Sequence, residues 1–305
     1  MKKNKKICIL AVISVVLPMV LFFAACNKDK GKVADVGGII ITEKDLEQRG
    51  KVSEIYYPGS NKAYISLAQL SRAYLSEKVL NSLGYKVDEK VLEAESKRID
   101  ENTKAPEVLK KIKDVYGMDK QGYIKTFIRV TYDERYLYNE VFLKSRDIHK
   151  EQYLKAQTII SESRKSPDQF KEISKKHGQD AKALKISEKE GIKPYEEKNK
   201  KPEEMGPGHE NVGMEQATRL IEMVGKVKPG EMYPELVEWQ EGFQILRFVK
   251  KEGDDYIVES VSVPKRDFDE WFWENATKIP VKIYNPALKA ELLKQVSWAN
   301  KISIK

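Results

Sequence analysis

Apolar residues along this chain change their spacing several times, and each spacing predicts an element. Lys2, Lys3, Lys5 and Lys6 precede an apolar stretch from Ile7 to Ala25 that contains Pro18. Polar residues from Asn27 to Lys32 follow. β-branched and apolar residues then lie on both sides of Gly37-Gly38, namely Val33, Val36, Ile39, Ile40 and Ile41, which predicts a hairpin. Thr42 is placed to cap a helix by accepting from the Asp45 N–H, and acidic residues at 43 and 45 suit the positive end of that helix. Ile65, Leu67, Ala68, Tyr74, Leu75, Val79 and Leu83 recur at helical spacing and stop at Gly84. A helix after Asp88 carries Val91, Leu92, Ala94 and Ile99. Another runs from about Pro106 to Tyr116 and ends at Gly117. A long one from about Lys120 to Lys144 collects Tyr123, Phe127, Val130, Tyr136, Leu137, Tyr138, Val141 and Phe142.

Shorter elements follow. Gln152 to Ser163 reads as helix, and Pro167 opens another that closes at His177-Gly178. The charged run between Ile192 and Glu204 reads as a solvated loop. Tyr256 to Val263 alternates as a strand that Pro264 ends. Phe268, Trp271, Phe272, Ala276 and Ile279 make one helical stripe, with Trp273 at its edge and partly exposed. Val281 to Tyr284 reads as a strand. Leu288, Leu292, Leu293, Val296 and Trp298 predict a last helix. Helices with a few antiparallel strands make this an α+β chain.

Charge narrows the partners. The 55 Lys and Arg residues exceed the 47 Asp and Glu by eight, and four of those lysines stand before the apolar stretch. Charges of both signs are mixed through the rest, with no basic stripe for nucleic acid. Only Cys8 and Cys26 are present, so no disulfide forms within the region beyond Cys26 and its stability comes from packing. The basic start and apolar stretch have the form of an export signal. Its end, Phe23-Ala24-Ala25-Cys26, resembles a lipobox, with Phe23 in place of the usual Leu, which implies lipid attachment at Cys26. A second reading of the stretch is an uncleaved membrane anchor, since about 20 apolar residues cross a bilayer. Both readings place the remainder outside the cytoplasm and tether it to a bacterial membrane, periplasm-facing or at the cell surface.

VADVGGIIITEKDL, residues 33 to 46, resembles the entry motif of SurA-type periplasmic chaperones and PrsA-type foldase lipoproteins, with Gly37 where that family has Asn. YGMDKQGYIKTFIRVTYDERYLYNEV, beginning at Tyr116, resembles the last helical pair of the same domain. The resemblance implies a helical chaperone core formed by residues 33–145 and 251–305, behind a leader at 1–26 and a tether at 27–32. Its C-terminal helix and strand return to pair with the first hairpin. A four-helix bundle of no particular function is the plain alternative. Tyr123, Phe127 and Trp273 are the candidates for gripping apolar segments.

Residues 146–250 resemble a parvulin-type prolyl isomerase, an α/β domain inserted into the helical core. The likeness rests on Gln152 to Asp180 and on KVKPGEMYPELVEWQEGFQILRFV, residues 226 to 249. Such a domain lowers a barrier of about 18–20 kcal/mol to rotation about X–Pro bonds, using paired histidines and an aromatic-walled groove. The closing histidine corresponds here to Gln244. The groove methionine corresponds to Met214, the phenylalanine four residues on to Thr218, and the central polar residue to Asp180. His149 stands at about the right separation for the opening histidine, yet Lys150-Glu151-Gln152 follows it and reads as solvated helix. The site therefore reads as degenerate, with activity weak or absent. His177 and His209 read as surface residues. No metal-ligand spacing, nucleophile elbow or phosphate loop is present, so no cofactor is expected. The sequence reading is a membrane-tethered holdase whose partners are unfolded exported polypeptides. An active prolyl isomerase and a surface lipoprotein for adhesion or scaffolding are the alternatives.

Overall fold

The computed structural model describes residues 31–305 apart from 88, 102, 104, 125–127 and 196–209. Cys26, Phe127 and His209 lie outside the described residues. The chain divides into two compact units: Asn139–Phe268 is one, and the chain up to Tyr138 together with Asp269–Lys305 is the other. Its class is mixed α+β, with two antiparallel sheets among the described residues. No helix among them is long and apolar enough to cross a membrane.

In the helical unit, β1 (Lys32–Val36) and β2 (Ile39–Thr42) form the hairpin, with Val36 opposite Ile39. Gly37 takes φ +57° in the turn, donates its N–H to the Pro280 carbonyl at 2.8 Å, and leaves no room for a Cβ, which would lie 2.9 Å from Ile279 Cγ2. Thr42 then caps α1 (Glu43–Tyr56) reciprocally: its Oγ1 accepts from the Asp45 N–H, and Asp45 Oδ2 accepts from the Thr42 N–H at 2.8 Å. α2 (Ala63–Ser82) buries Leu67, Leu70, Leu75 and Val79. α3 (Glu89–Glu101) and α4 (Ala105–Tyr116) follow.

The long helix expected over 120–144 is helical at each described residue from Lys120 to Phe142, as α5 (Lys120–Tyr123), α6 (Arg129–Tyr136) and a π-helical turn at Leu137–Phe142. The wider turn lets Leu137, Val141 and Phe142 all bury, each at 2 % exposure or less.

The chain returns to this unit in α10 (Phe268–Ala276) and β8 (Val281–Ile283). β8 runs antiparallel to β1, with Val36 opposite Val281, giving the order β2-β1-β8. Asn285 caps α11 (Pro286–Gln295) through its Oδ1 and the Leu288 N–H, and α11 packs on α2. A 3-10 turn, Ser297–Lys301, follows. Arg72 on α2 ties the unit together. Its Nε donates to Glu134 at 2.8 Å and its Nη2 to Asp269 at 2.7 Å, while its guanidinium lies 5.3 Å from the Phe272 ring and 5.5 Å from the Trp273 ring.

The sheet unit begins with α7 (Lys150–Lys165), a 3-10 turn at Pro167–Gln169 and α8 (Phe170–Lys176). Then come β3 (Lys182–Ser187), β4 (Gly191–Pro194) and α9 (Glu210–Val224). β5 (Val237–Glu238), β6 (Gly242–Glu252) and β7 (Asp255–Pro264) complete it. The sheet order is β4-β3-β7-β6-β5, and every neighbouring pair is antiparallel. Ala156, Ile159 and Phe170 cover Phe243, Ile245, Val261 and Val263 on one face. Ala217, Leu220 and Val224 of α9 cover Ile186, Leu246 and Val258 on the other.

β7 is the central strand of this sheet, whereas the sequence reading put Tyr256–Val263 in the segment returning to the helical core. The turn at Gly253, φ +61°, explains the difference. A connection that short joins neighbouring antiparallel strands and sets β7 beside β6, while its other edge pairs with β3.

Candidate functional site

Strand alternation decides what the closing strand presents. Phe243 and Ile245 point to the α7 side and Leu246 to the α9 side, so Gln244 faces α9. Gly242 precedes it because the backbone of β7 comes close: a Cβ there would lie 2.6 Å from the Val263 carbonyl oxygen. Gln244 is opposite Ser262 on β7 and Val237 on β5. Its Oε1 accepts from the Trp239 indole N–H at 2.7 Å. Above that indole sits the Arg219 guanidinium from α9, 4.6 Å from the ring centroid. The result is a shelf of amide, indole and guanidinium at one end of the α9 face.

Met214 and Thr218 lie one turn apart on α9, upstream of Arg219. Met214 is 37 % exposed. Thr218 is exposed, and its hydroxyl donates back to the Met214 carbonyl at 3.1 Å. Neither encloses a groove. Asp180 is exposed two residues before β3 begins, at the end of the sheet where Ser262 and Gln244 stand. Met214, Thr218 and Asp180 are thus exposed, and the structure ties Gln244 to Trp239 and Arg219 rather than to any of them.

His149 is elsewhere and is not solvated. It is the N-cap residue of α7 and is 1 % exposed. The Arg266 N–H points at its Nδ1 at 3.3 Å, and its Nε2 lies 2.8 Å from the Phe142 carbonyl. Those partners suit the neutral tautomer with the proton on Nε2. Burial pushes its pKa down, against the bond to Phe142, and the cations Lys265 and Arg266 add to the fall. The polar residues after it belong to the outer side of α7, so their character did not describe the cap itself. His177, on the α7 side, has its Nε2 3.1 Å from Glu162. Among the described residues no imidazole is on the shelf, and no cluster of His, Cys, Asp and Glu is fit to hold a metal.

In the helical unit, Tyr123 is half-buried and stacks on Tyr116, with centroids 6.1 Å apart, in a small cluster with Ile112 and Met118. Trp273, expected at a partly exposed rim, is 4 % exposed. The added cover comes from Trp298, which stacks on it at 4.9 Å. No protein-family model matches this chain, and the search of curated proteins finds no match.

Trp239 and Arg219 went unnoticed in the sequence, although a tryptophan just ahead of a tight turn (Trp239 N–H to Gly242 carbonyl, 2.8 Å) was a usable signal. On the opposite face of the sheet a groove of about 500 Å³ is lined by Arg146, Tyr153, Arg164, Glu235 and Phe243. Arg146 lies over the Tyr153 ring at 5.1 Å. Both surfaces combine aromatic faces with hydrogen-bonding groups, which suits weak contact with peptide chain.

Proposed function

We propose that the protein is a membrane-tethered extracytoplasmic holdase, which binds unfolded exported polypeptides and whose sheet unit binds peptide without isomerising it. The observation that carries this reading is Gln244 and its hydrogen bond to Trp239. An amide there donates and accepts hydrogen bonds but takes up no proton near neutrality, and the open flank at Met214 and Thr218 provides no wall to hold a twisted prolyl bond. Support for the helical unit as a cradle comes from the likeness of residues 33–46 to the chaperone entry motif. Support for the tether comes from residues 1–26, with Cys26 as the lipid-bearing residue. Holding exposed apolar segments weakly and reversibly delays their aggregation and needs no nucleotide or metal.

The test is refolding of a proline-limited model protein, which proceeds uncatalysed in tens to hundreds of seconds, with light scattering recorded in the same samples. The expected result is an unchanged rate with reduced scattering. Acceleration at substoichiometric amounts overturns the binding-only reading in favour of an isomerase. Absence of both effects moves the protein to the surface-scaffold class. Cys26→Ser should release the protein from membranes if lipid is the tether.

A further inference from the structure

Residues 297–305 act as a strap across the open side of β8. Trp298 stacks on Trp273 with the rings 14° from coplanar. Further on, the Lys305 N–H donates to the Val281 carbonyl at 2.9 Å, and the Ile283 N–H donates to the Lys305 carbonyl at 3.1 Å. Ile304 pairs with Val281 in a parallel bridge. β8 is the outer strand of the order β2-β1-β8, so these bonds take up the backbone edge that an outer strand otherwise presents to any extended chain. Beneath the strap, Trp273, Val281 and Ile283 are buried, as are Ala299 and Ile302 of the strap itself.

The contact has the form of strand addition: main-chain bonds to a sheet edge give attachment, and side chains on either side select what fits. Its selecting elements are an aromatic residue at 298 against an indole and a β-branched residue at 304 against Val281. The hold is narrow, an isolated bridge and a stack, and Trp298 remains half-exposed. A client segment with the same alternation would make the same bonds.

We propose that the β8 edge and the adjoining face of Trp273 form a binding site for extended polypeptide segments that carry an aromatic residue followed by a β-branched one, and that residues 297–305 are its internal occupant. This rests on the holdase reading and names where in the helical unit a client is held. An occupied site binds a client with its intrinsic affinity reduced by the fraction of time the strap is off. Loosening the strap therefore raises client affinity.

The experiment compares the full chain with Trp298→Ala and with a chain stopped after Gln295, all purified in detergent. The probe is reduced, carboxymethylated α-lactalbumin, a permanently unfolded protein, followed by fluorescence anisotropy. Both variants should bind it about tenfold more tightly, equivalent to about 1.4 kcal/mol, and the peptide VSWANKISIK should displace it from the shortened chain. Equal affinity of the full chain and Trp298→Ala overturns the proposal, as does failure of the peptide to compete. If the shortened chain does not fold, Trp298→Ala decides alone, because it removes the stack that holds the strap while leaving the full chain present. Suppressed aggregation by the full chain with no gain in Trp298→Ala removes this site and leaves the holdase reading standing. Tighter binding by the variants with no suppression by any form keeps the site and removes the holdase reading.

Discussion

His149 shows how one side chain can hold two passing segments. It faces the Phe142 carbonyl and the Arg266 N–H, and Phe142 packs edge-on to its ring at 4.7 Å. Burial does most to disfavour its protonation and outweighs the charges around it, of which Lys265 disfavours it most, Glu238 favours it, and Arg266 disfavours it more weakly. Its folded pKa lies below its unfolded value, so the unfolded chain binds the proton first as pH falls. The stabilisation from keeping it neutral is complete above about pH 6.5 and is lost as pH drops through that value toward the folded pKa. Chemical denaturation at pH 7.5 and pH 5.5 should therefore give a larger loss for the natural chain than for His149→Phe. An equal loss in both would mean that other groups carry the acid sensitivity. Gly242 makes a second residue-scale case. Gly242→Ala puts a methyl group against the Val263 carbonyl, where backbone and not a movable side chain must yield. The expected cost is about 1–3 kcal/mol, read as a lower denaturation midpoint with an unchanged slope. A shift within error would mean that β6 and β7 separate there at little cost.

At the scale of elements, burial ranks the ion pairs that fasten β6 and β7 to the turn before α8. Arg247 reaches Asp168 at 2.7 Å and Glu259 at 3.1 Å, and Lys171 also reaches Glu259 at 3.1 Å. Asp168 is 94 % exposed, whereas Glu259 is buried in the central strand. Removing Asp168 should cost no more than about 1 kcal/mol. Removing Glu259 leaves Arg247, itself mostly covered, without its buried counter-charge and should cost about 3 kcal/mol or more. Comparable losses for Asp168→Ala and Glu259→Ala would refute that ranking.

The same scale marks where the sequence was readable. Local signals located elements well: the Gly37-Gly38 turn, the Thr42 cap, the stop at Gly84 and the strands at 256–263 and 281–284 each depend on residues next to one another. Three features depended on distant partners and were not readable. β7 alternates equally well wherever it lies, so its pairing with β3 and β6 could not be chosen from its own residues. Trp273 read as rim because its cover, Trp298, comes from a later segment of the chain. His149 read as solvated because its neighbours are polar, while its own partners come from Phe142 and Arg266. The site divides in the same way: Gln244 could be picked out from the sequence, but its tie to Trp239 under Arg219 could not.

At the scale of the molecule, the sheet unit is an insertion whose two ends are fastened within the unit itself. Lys265, near its exit, donates to the Leu143 carbonyl at 2.6 Å near its entry, and also pairs with Glu238 at 3.0 Å. His149 adds its bonds to Phe142 and Arg266 between the same two stretches. Both faces of its sheet are covered by its own helices, with separate cores under α7 and α9. A unit with its own core and tied ends has what independent folding requires. Residues 139–268 expressed alone should therefore melt in one cooperative transition, with dispersed amide resonances. Replacing Lys265 by Met should lower that transition by loosening the junction, at a cost of about 1–3 kcal/mol for the buried carbonyl left without its donor. A broad, non-cooperative melt of the excised unit would mean that its cores depend on the chain before Tyr138 and after Asp269, and the insertion would then not be a separate folding unit.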